Sequence, residues 1–495
     1  MLFLGVDLGS SSIKLSVLDS VAETIIASAI YPEEEQPIDS PEPGWAEQDP
    51  RVWWTNFEIG LQKLVEIGVD LSKVEAIGIS YQMHGLVLVD EDHQVLRPSI
   101  IWCDSRSVSI GEEAFEKLGG QNILPKLLNS PGNFTASKLA WVKENEPDIY
   151  DRVHKFLLPG DYLVLKLTGQ ISTTATGLSE GIMWDYDSQS LSAEILDVFG
   201  FGNDLVPRIE PSIGSAVSIH DSIAEKFGFR KGTKITYRAG DQPNNAFSLN
   251  VLNPGETAAT AGTSGVIYAV TDKKAFDHKS RINTFLHVNS DKENSRNGIL
   301  ICINGTGILY SWLKKLMNSG NGRFDYDQMN ELAESVLPGS EGLICLPFGN
   351  GAERIFENKN IGSHILNVDF NRHSNAHLIR SGLEGIVFAL NLGFEVLDEL
   401  QITQKTIRVG NANLFLSKIF REIFVNVTGV RLEIYDTDGA AGAARGAALG
   451  FGFYSSFDTA FKKLELITVV EPDPVLQKEY KILFEEWKIP LLTTH

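Results

Sequence analysis

The chain uses one small design twice. "FLGVDLGSSSIKLSVLD" (Phe3–Asp19) runs from an apolar stretch through a glycine-serine tip into an alternating stretch, and "GETAATAGTSGVIYAV" (Gly255–Val270) repeats it around Gly262-Thr263-Ser264-Gly265. Apolar and polar residues alternate from Ile13 to Leu18, which marks a returning strand. Each segment is therefore a hairpin with a small, hydroxyl-rich tip. Two such hairpins set far apart, each followed by further strand-and-helix alternation, imply a duplicated α/β unit whose halves meet near "LNPGE" (Leu252–Glu256). At 495 residues the chain is too long for one ordinary core, which places two domains at 1–251 and 252–495.

Asp7 interrupts the first apolar strand, and a buried carboxylate is costly unless something offsets its charge. One hairpin of this kind is an ordinary turn. Two in matching positions, one beside an acid, expose backbone N–H groups that fit the β- and γ-phosphates of a nucleotide from both sides. The groups concerned are Gly9, Ser10, Ser11 and Ser12 in the first tip and Gly262, Thr263 and Ser264 in the second. Neither tip is a P-loop, because no Gly-Lys-Ser/Thr follows. Asp7 then faces a hydrated Mg²⁺ on the phosphates and needs no side-chain partner. Lys14 lies either on a phosphate or in solvent.

Asp241, in "YRAGDQPNNA", ends a strand just ahead of the second hairpin. It reads as a turn former or helix N-cap, or as the base that accepts a proton from a substrate hydroxyl in phosphoryl transfer. "SYQMHGLVLVD" sets Gln82 to Gly85 at the tip of a strand pair. There His84 is either an exposed turn histidine or a hydrogen-bond partner for a polyol hydroxyl, with Met83 against a carbon face. Asp104 and Arg106 form a surface ion pair or brace the same pocket. "DGAAGAARGAALGFG" (Asp438–Gly452) suits a helix packed closely on something flat.

A net charge of −21 argues against nucleic-acid or anionic-membrane partners. The most apolar helical pattern, His377 to Leu400, is interrupted by Arg380, Glu384, Glu395 and Asp398, so it does not span a membrane. Cys103, Cys302 and Cys345 are odd in number and widely spaced, with no disulfide framework or zinc spacing. That pattern and the absence of a signal-peptide core before Asp7 fit a cytoplasmic protein.

Taken together, these segments resemble the FGGY family of carbohydrate kinases. "GVDLGSSSIKLSVLD" is similar to its first phosphate hairpin, "AGDQ" to its catalytic Asp segment and "AGTSGVIY" to its second phosphate hairpin. "QMHG" is similar to the tetrapeptide of the xylulokinase branch. "NFTASKLAWVKENEP" is similar to an internal signature of the family, with Asn133 where a glycine or an aromatic is usual. The resemblance implies an α/β fold of two actin-like (ribonuclease H-like) ATPase domains with mixed sheets, closing on ATP and a sugar. It implies phosphorylation of D-xylulose at O5, with Asp241 as base, Mg²⁺ near Asp7 and Asp241, and Met83, His84, Asp241 and Gln242 on the sugar. A homodimer is also implied.

Two departures from the family pattern stand out. The adenosine-binding glycine run corresponds here to Gly410, Asn411, Ala412 and Asn413, which alters the wall facing adenine and ribose. Pro243, Asn244 and Asn245 replace small residues after the catalytic Asp and are expected near the substrate. Other readings are a kinase for another ketose or polyol such as D-ribulose or L-fuculose, a nucleotide-dependent module of the actin or chaperone type, and a sugar sensor without turnover.

Overall fold

A computed structural model describes residues 1–319 and 324–493. The first sheet contains β1 (Leu2–Leu8), β2 (Ile13–Asp19), β3 (Thr24–Tyr31), β4 (Val74–Tyr81), β5 (Ile213–Ser218) and β6 (Lys234–Gly240). The second contains β7 (Glu256–Ala261), β8 (Gly265–Thr271), β9 (Asn283–Leu286), β10 (Asn297–Ile303), β11 (Thr406–Gly410), β12 (Leu432–Tyr435) and β13 (Leu466–Val470). Their spatial orders are β3-β2-β1-β4-β6-β5 and β9-β10-β8-β7-β11-β12-β13.

Set side by side, the two orders coincide. Hairpin β1/β2 matches β7/β8, and antiparallel β3 matches β10. The parallel strands β4 and β6 match β11 and β12, and the antiparallel edge β5 matches β13. The unit is duplicated, as the repeated hairpin implies, in a mixed α/β architecture. Strand β9 has no counterpart in the first sheet.

Seven helices position the site: α1 (Pro50–Glu66), α2 (Thr135–Asn145), α3 (Ala175–Glu180), α4 (Asp241–Ser248), α5 (Gly307–Met317), α6 (Asn375–Glu399) and α7 (Gly439–Phe451). The first sheet is covered on both faces, so its central strands read as near-continuous apolar runs. One face packs on Trp53, Phe57, Leu61 and Leu64 of α1, and the other on Ala443, Ala444, Ala447 and Ala448 of α7. The flat partner of the small-residue run is thus the sheet of the first half, although the chain reaches it from the second.

The approach of α7 is close enough to require glycine beneath it. A β-carbon at Gly5 would lie 1.9 Å from the Ala440 carbonyl oxygen, and one at Gly78 2.1 Å from that of Ala443. Helix α4 makes the reciprocal contact. Ala246, with Leu249 and Val251 just beyond it, clusters with Ala258, Tyr268 and Val270 of the second sheet. The helices α4 and α7 meet between the sheets, where Asn244 Nδ2 donates to the Gly439 carbonyl (2.8 Å).

Three local expectations are corrected. Val87–Val89 does not pair back on β4 but joins Lys155–Leu157, so Gln82 to Gly85 is a corner between two sheets and not a hairpin tip. Asp104 and Arg106 are no surface pair. Both side chains are buried, with Arg106 bound to Asp104 and Glu47 (each 2.7 Å) and stacked on Trp45. Asn244 is fully buried between Tyr237 and Gly439, so it ties helices together rather than facing a substrate. Among the described residues, no helix is long and apolar enough to cross a membrane.

Candidate active site

Asp7 stands near the end of β1, against the start of α7. Its Oδ1 accepts from Ser80 Oγ (2.6 Å), and Gly439 approaches so closely that a β-carbon there would lie 2.2 Å from Oδ2. Asp7 therefore does have a side-chain partner, together with the positive end of a helix. Burial still pushes its carboxyl up, with Asp438 adding to the shift and Ser80 and Lys14 opposing it. Lys14 is partly exposed and pairs with Asp438 (2.5 Å). That pair joins the first hairpin to the N-cap of α7, where Asp438 also accepts from the Ala441 amide (2.9 Å).

Asp241 opens α4 as its first residue, and the cap position belongs to Gly240. Its carboxyl is pushed up to about 7, first by burial and then by the charge of Asp7, while the backbone and side chain of Gln242 hold it down. Two mutually repelling acids at the ends of β1 and β6 form a pocket of negative charge that a cation would relieve. No group of three or more His, Cys, Asp or Glu side chains is arranged to hold a metal among the described residues. Mg²⁺ keeps several waters and takes only one or two carboxylates beside a phosphate, so Asp7 and Asp241 fit it.

The corner after β4 is held from three sides. His84 has a left-handed backbone (φ 61°), fixed by Lys138 of α2, whose Nζ donates to the carbonyls of His84 (2.8 Å) and Ile101 (2.9 Å). The His84 ring lies between Phe134 and Phe285, and its Nδ1 is 3.0 Å from the Glu180 carbonyl of α3. It is not an exposed turn residue. Met83 is buried in the core cluster beneath Gly240, where a β-carbon would come within 2.6 Å of its Cγ. It supports the peptide before Asp241 from below. Gln82 is buried and donates to Gln48, which in turn donates to the Ser10 carbonyl (2.7 Å) and braces the first tip.

The two tips are closed differently. In the first, the Gly9 amide donates to the Ser12 carbonyl (3.0 Å). In the second, the first amides of α5, Gly307 and Ile308, donate to the carbonyls of Gly262 (2.8 Å) and Thr263 (3.2 Å). Beyond β11, the Asn411 amide donates to the Tyr435 carbonyl (3.0 Å). Asn413, left-handed at φ 55°, brings its side-chain amide within 3.5 Å of the β-carbon position of Gly262. The segment of Gly410, Asn411 and Asn413 therefore adjoins the second tip.

Models of the FGGY family of carbohydrate kinases match this chain twice, the N-terminal domain over residues 2–248 and the C-terminal domain over residues 257–452. The chain belongs to the FGGY family of carbohydrate kinases. It is 29% identical to the xylulose kinase of Lactococcus lactis subsp. lactis over 494 residues, which covers 98% of this chain and 95% of that one. The solved structure of a "xyloylose kinase" from Brucella ovis superposes with a TM-score of 0.89 at 24% identity, over 100% of this chain and 99% of that one. A gluconate kinase from Lactobacillus acidophilus superposes with a TM-score of 0.88 at 22% identity, over 100% and 98%. Those two superpositions show the fold alone. The protein is an ATP-dependent sugar kinase of two actin-like domains.

Three residues around the candidate site of this FGGY kinase escape sequence reasoning. Lys138 sits in an amphipathic pattern yet is completely buried, and burial pushes its ammonium down to about 7. Glu180 is buried beside Gly240, and burial raises its carboxyl well above the usual range, with the charge of Asp241 adding to the rise. Arg354, from the second half, reaches the His84 corner through Asn283. A buried Lys or Glu has no signature in a single sequence. For Lys138, the only hint is its place inside the stretch that resembles a family signature.

Proposed function

We propose that the chain transfers the γ-phosphoryl group of ATP to the O5 hydroxyl of D-xylulose, forming ADP and D-xylulose 5-phosphate. The observation that carries this reading is Asp241: a carboxyl held near neutrality at the β6–α4 junction, within the field of Asp7. Such a group accepts a hydroxyl proton at physiological pH, and the general base is the main side-chain chemistry phosphoryl transfer needs. The sugar hydroxyl gives its proton to Asp241 as its oxygen bonds to the γ-phosphorus. The bond from that phosphorus to the β,γ-bridging oxygen breaks, and its electron pair leaves with ADP.

Amides and hydroxyls of Gly9 to Ser12 and of Gly262 to Ser264 hold the phosphates, and Gly410, Asn411 and Asn413 line the adenosine side. Asp7 and Asp241 would hold Mg²⁺, which supplies charge neutralisation on the phosphates when bound. Gln242 orients the Asp241 carboxylate, while Met83 supports the strand end and His84 binds the sugar. Full-length similarity to a xylulose kinase supports D-xylulose among the ketoses.

Coupled detection of ADP across D-xylulose, D-ribulose, L-fuculose and glycerol tests the reading. D-Xylulose is expected to give the highest kcat/KM. A tenfold preference for another acceptor would reassign the substrate, and ADP release with none of them would make the protein a sensor.

A further inference from the structure

The strand without a counterpart, β9, brings two groups from different parts of the chain together. Asn283 and Phe285 are two residues apart in it and so share one face. Phe285 packs on the His84 ring (centroids 5.2 Å apart), and Asn283 Oδ1 accepts from Arg354 Nη1 (2.5 Å). Arg354 and His84 are therefore neighbours, close enough for the arginine to help keep the imidazole neutral.

Arg354 is partly buried and has no carboxylate partner among the described residues. The adjacent Glu353 is turned away, its carboxylate accepting from the amides of Asn304 and Gly305 (each 3.0 Å). A guanidinium only donates and stays charged, so this one calls for an acceptor. His84 offers the opposite. Its Nδ1 faces the Glu180 carbonyl at 3.0 Å, and a carbonyl only accepts, so the ring proton sits on Nδ1 and Nε2 presents a lone pair. Burial and the Lys138 charge push the imidazole down to about 3, which preserves that state across the working pH range.

A fixed donor thus stands beside a fixed acceptor. A ketose end presents the converse pair, a ketone oxygen that only accepts next to a hydroxyl that donates. We propose that Arg354 and His84 together read the α-hydroxyketone end of the sugar, with Arg354 donating to the ketone oxygen and His84 Nε2 accepting from the adjacent hydroxyl. The proposal rests on the ketose-kinase reading above and deepens it, making Arg354 the residue that separates ketoses from polyols. A polyol hydroxyl at the same carbon also accepts, but its own proton then faces donors and goes unpaired.

The test compares D-xylulose with xylitol in the full-length protein and in Arg354→Met and Arg354→Lys. Losing a charge-assisted hydrogen bond should lower kcat/KM for D-xylulose by about 10- to 100-fold in Arg354→Met. Xylitol should change by less than about threefold, and KM for ATP should hold, because the phosphate tips are untouched. Arg354→Lys should recover part of the preference. Equal losses on both acceptors, or none, would overturn the proposal. Faster turnover of D-xylonate than of D-xylulose, abolished in Arg354→Met, would overturn it too, because the arginine would then read a carboxylate. Should the parent protein phosphorylate no ketose, the ketose-kinase reading fails by itself, and calorimetric affinities for D-xylulose and xylitol still decide the role of Arg354. Where Arg354→Met does not fold, Asn283→Leu should narrow the same ratio, and an unchanged ratio there overturns the proposal.

Discussion

The two halves share a strand order but not a chemistry. In the first hairpin, Asp7 faces Lys14 across the ladder; in the second, Thr260 faces Val266 at the corresponding register. Beneath α7 the first sheet carries Gly5, and four residues before its own tip glycine the second carries Ala258. The helix after the second parallel strand begins with an acid nearby in both halves. Asp438 is engaged, capping α7 and pairing with Lys14, whereas the cap of α4 falls to Gly240 and Asp241 is left available. The second half alone adds β9, which is stitched to the first half through Asn129 and Thr284 (2.8 Å) and through Ser179 and Leu286 (2.8 Å). Duplication supplies a symmetric scaffold, and the departures from symmetry supply the site.

The sharpest break of that comparison is Asp241→Asn. Removing a general base lowers turnover by ~10²–10⁴-fold, with sugar affinity from calorimetry nearly unchanged. The change Thr260→Val, at the register that Asp7 holds in the first hairpin, should leave kcat within about threefold. If the two variants lost activity equally, the asymmetry would carry no chemistry.

Next in size is Gly5→Ala. The obstructing atom is a backbone oxygen of α7, which has no rotamer to yield, so overpacking should cost about 1–3 kcal/mol in denaturant unfolding. Ala258→Gly in the second sheet removes only a methyl and should cost less. A larger loss at Ala258 would mean that α4 and not α7 is the tighter helix.

His84→Ala should raise KM for D-xylulose by the roughly 0.5–1.5 kcal/mol of one hydrogen bond, with KM for ATP unmoved. Asn413→Ala should show the reverse split.

The smallest effect is one of pH. The proposed base, Asp241, would act as a carboxylate, and in the nucleotide-free protein its carboxyl is pushed up to about 7. The kcat/KM for sugar should therefore climb towards neutral pH and level off above it, and Asp7→Asn should move the rise to lower pH by removing a like charge. Stability runs the other way. Between the ordinary carboxyl range and about 7, the folded state binds the extra proton, so stability falls as pH rises through that window. Asp241→Asn should accordingly melt higher than the parent above neutrality and the same in acid. Equal melting shifts at both pH values would contradict the assigned environment.

How much of this is legible in the sequence follows from what kind of signal each feature leaves. Hairpins announce themselves by alternation and by glycine at the turn, so β1/β2 and β7/β8 are readable, as is the small-residue helix α7. Its partner is not, because the run of alanines specifies a flat neighbour without saying which sheet. The acids Asp7 and Asp241 stand out against apolar strands. Lys138, Glu180 and Arg354 do not, since their roles arise from contacts between distant segments: Lys138 with the His84 carbonyl, Arg354 with Asn283. At two-residue spacing Asp104 and Arg106 read equally as a surface pair or as a brace for the pocket, and only the fold reveals Glu47, Trp45 and Trp141 around them.

The central claim is that the sugar site has two unlike ends, a base at Asp241 and a ketone reader at His84 and Arg354. The position of the phosphate on the product tests this most directly. ³¹P–¹H correlation on the product from D-xylulose and ATP should show phosphorus coupled to the C5 methylene, the end remote from the ketone. Coupling to the C1 methylene would set the ketone end at Asp241 and contradict the account.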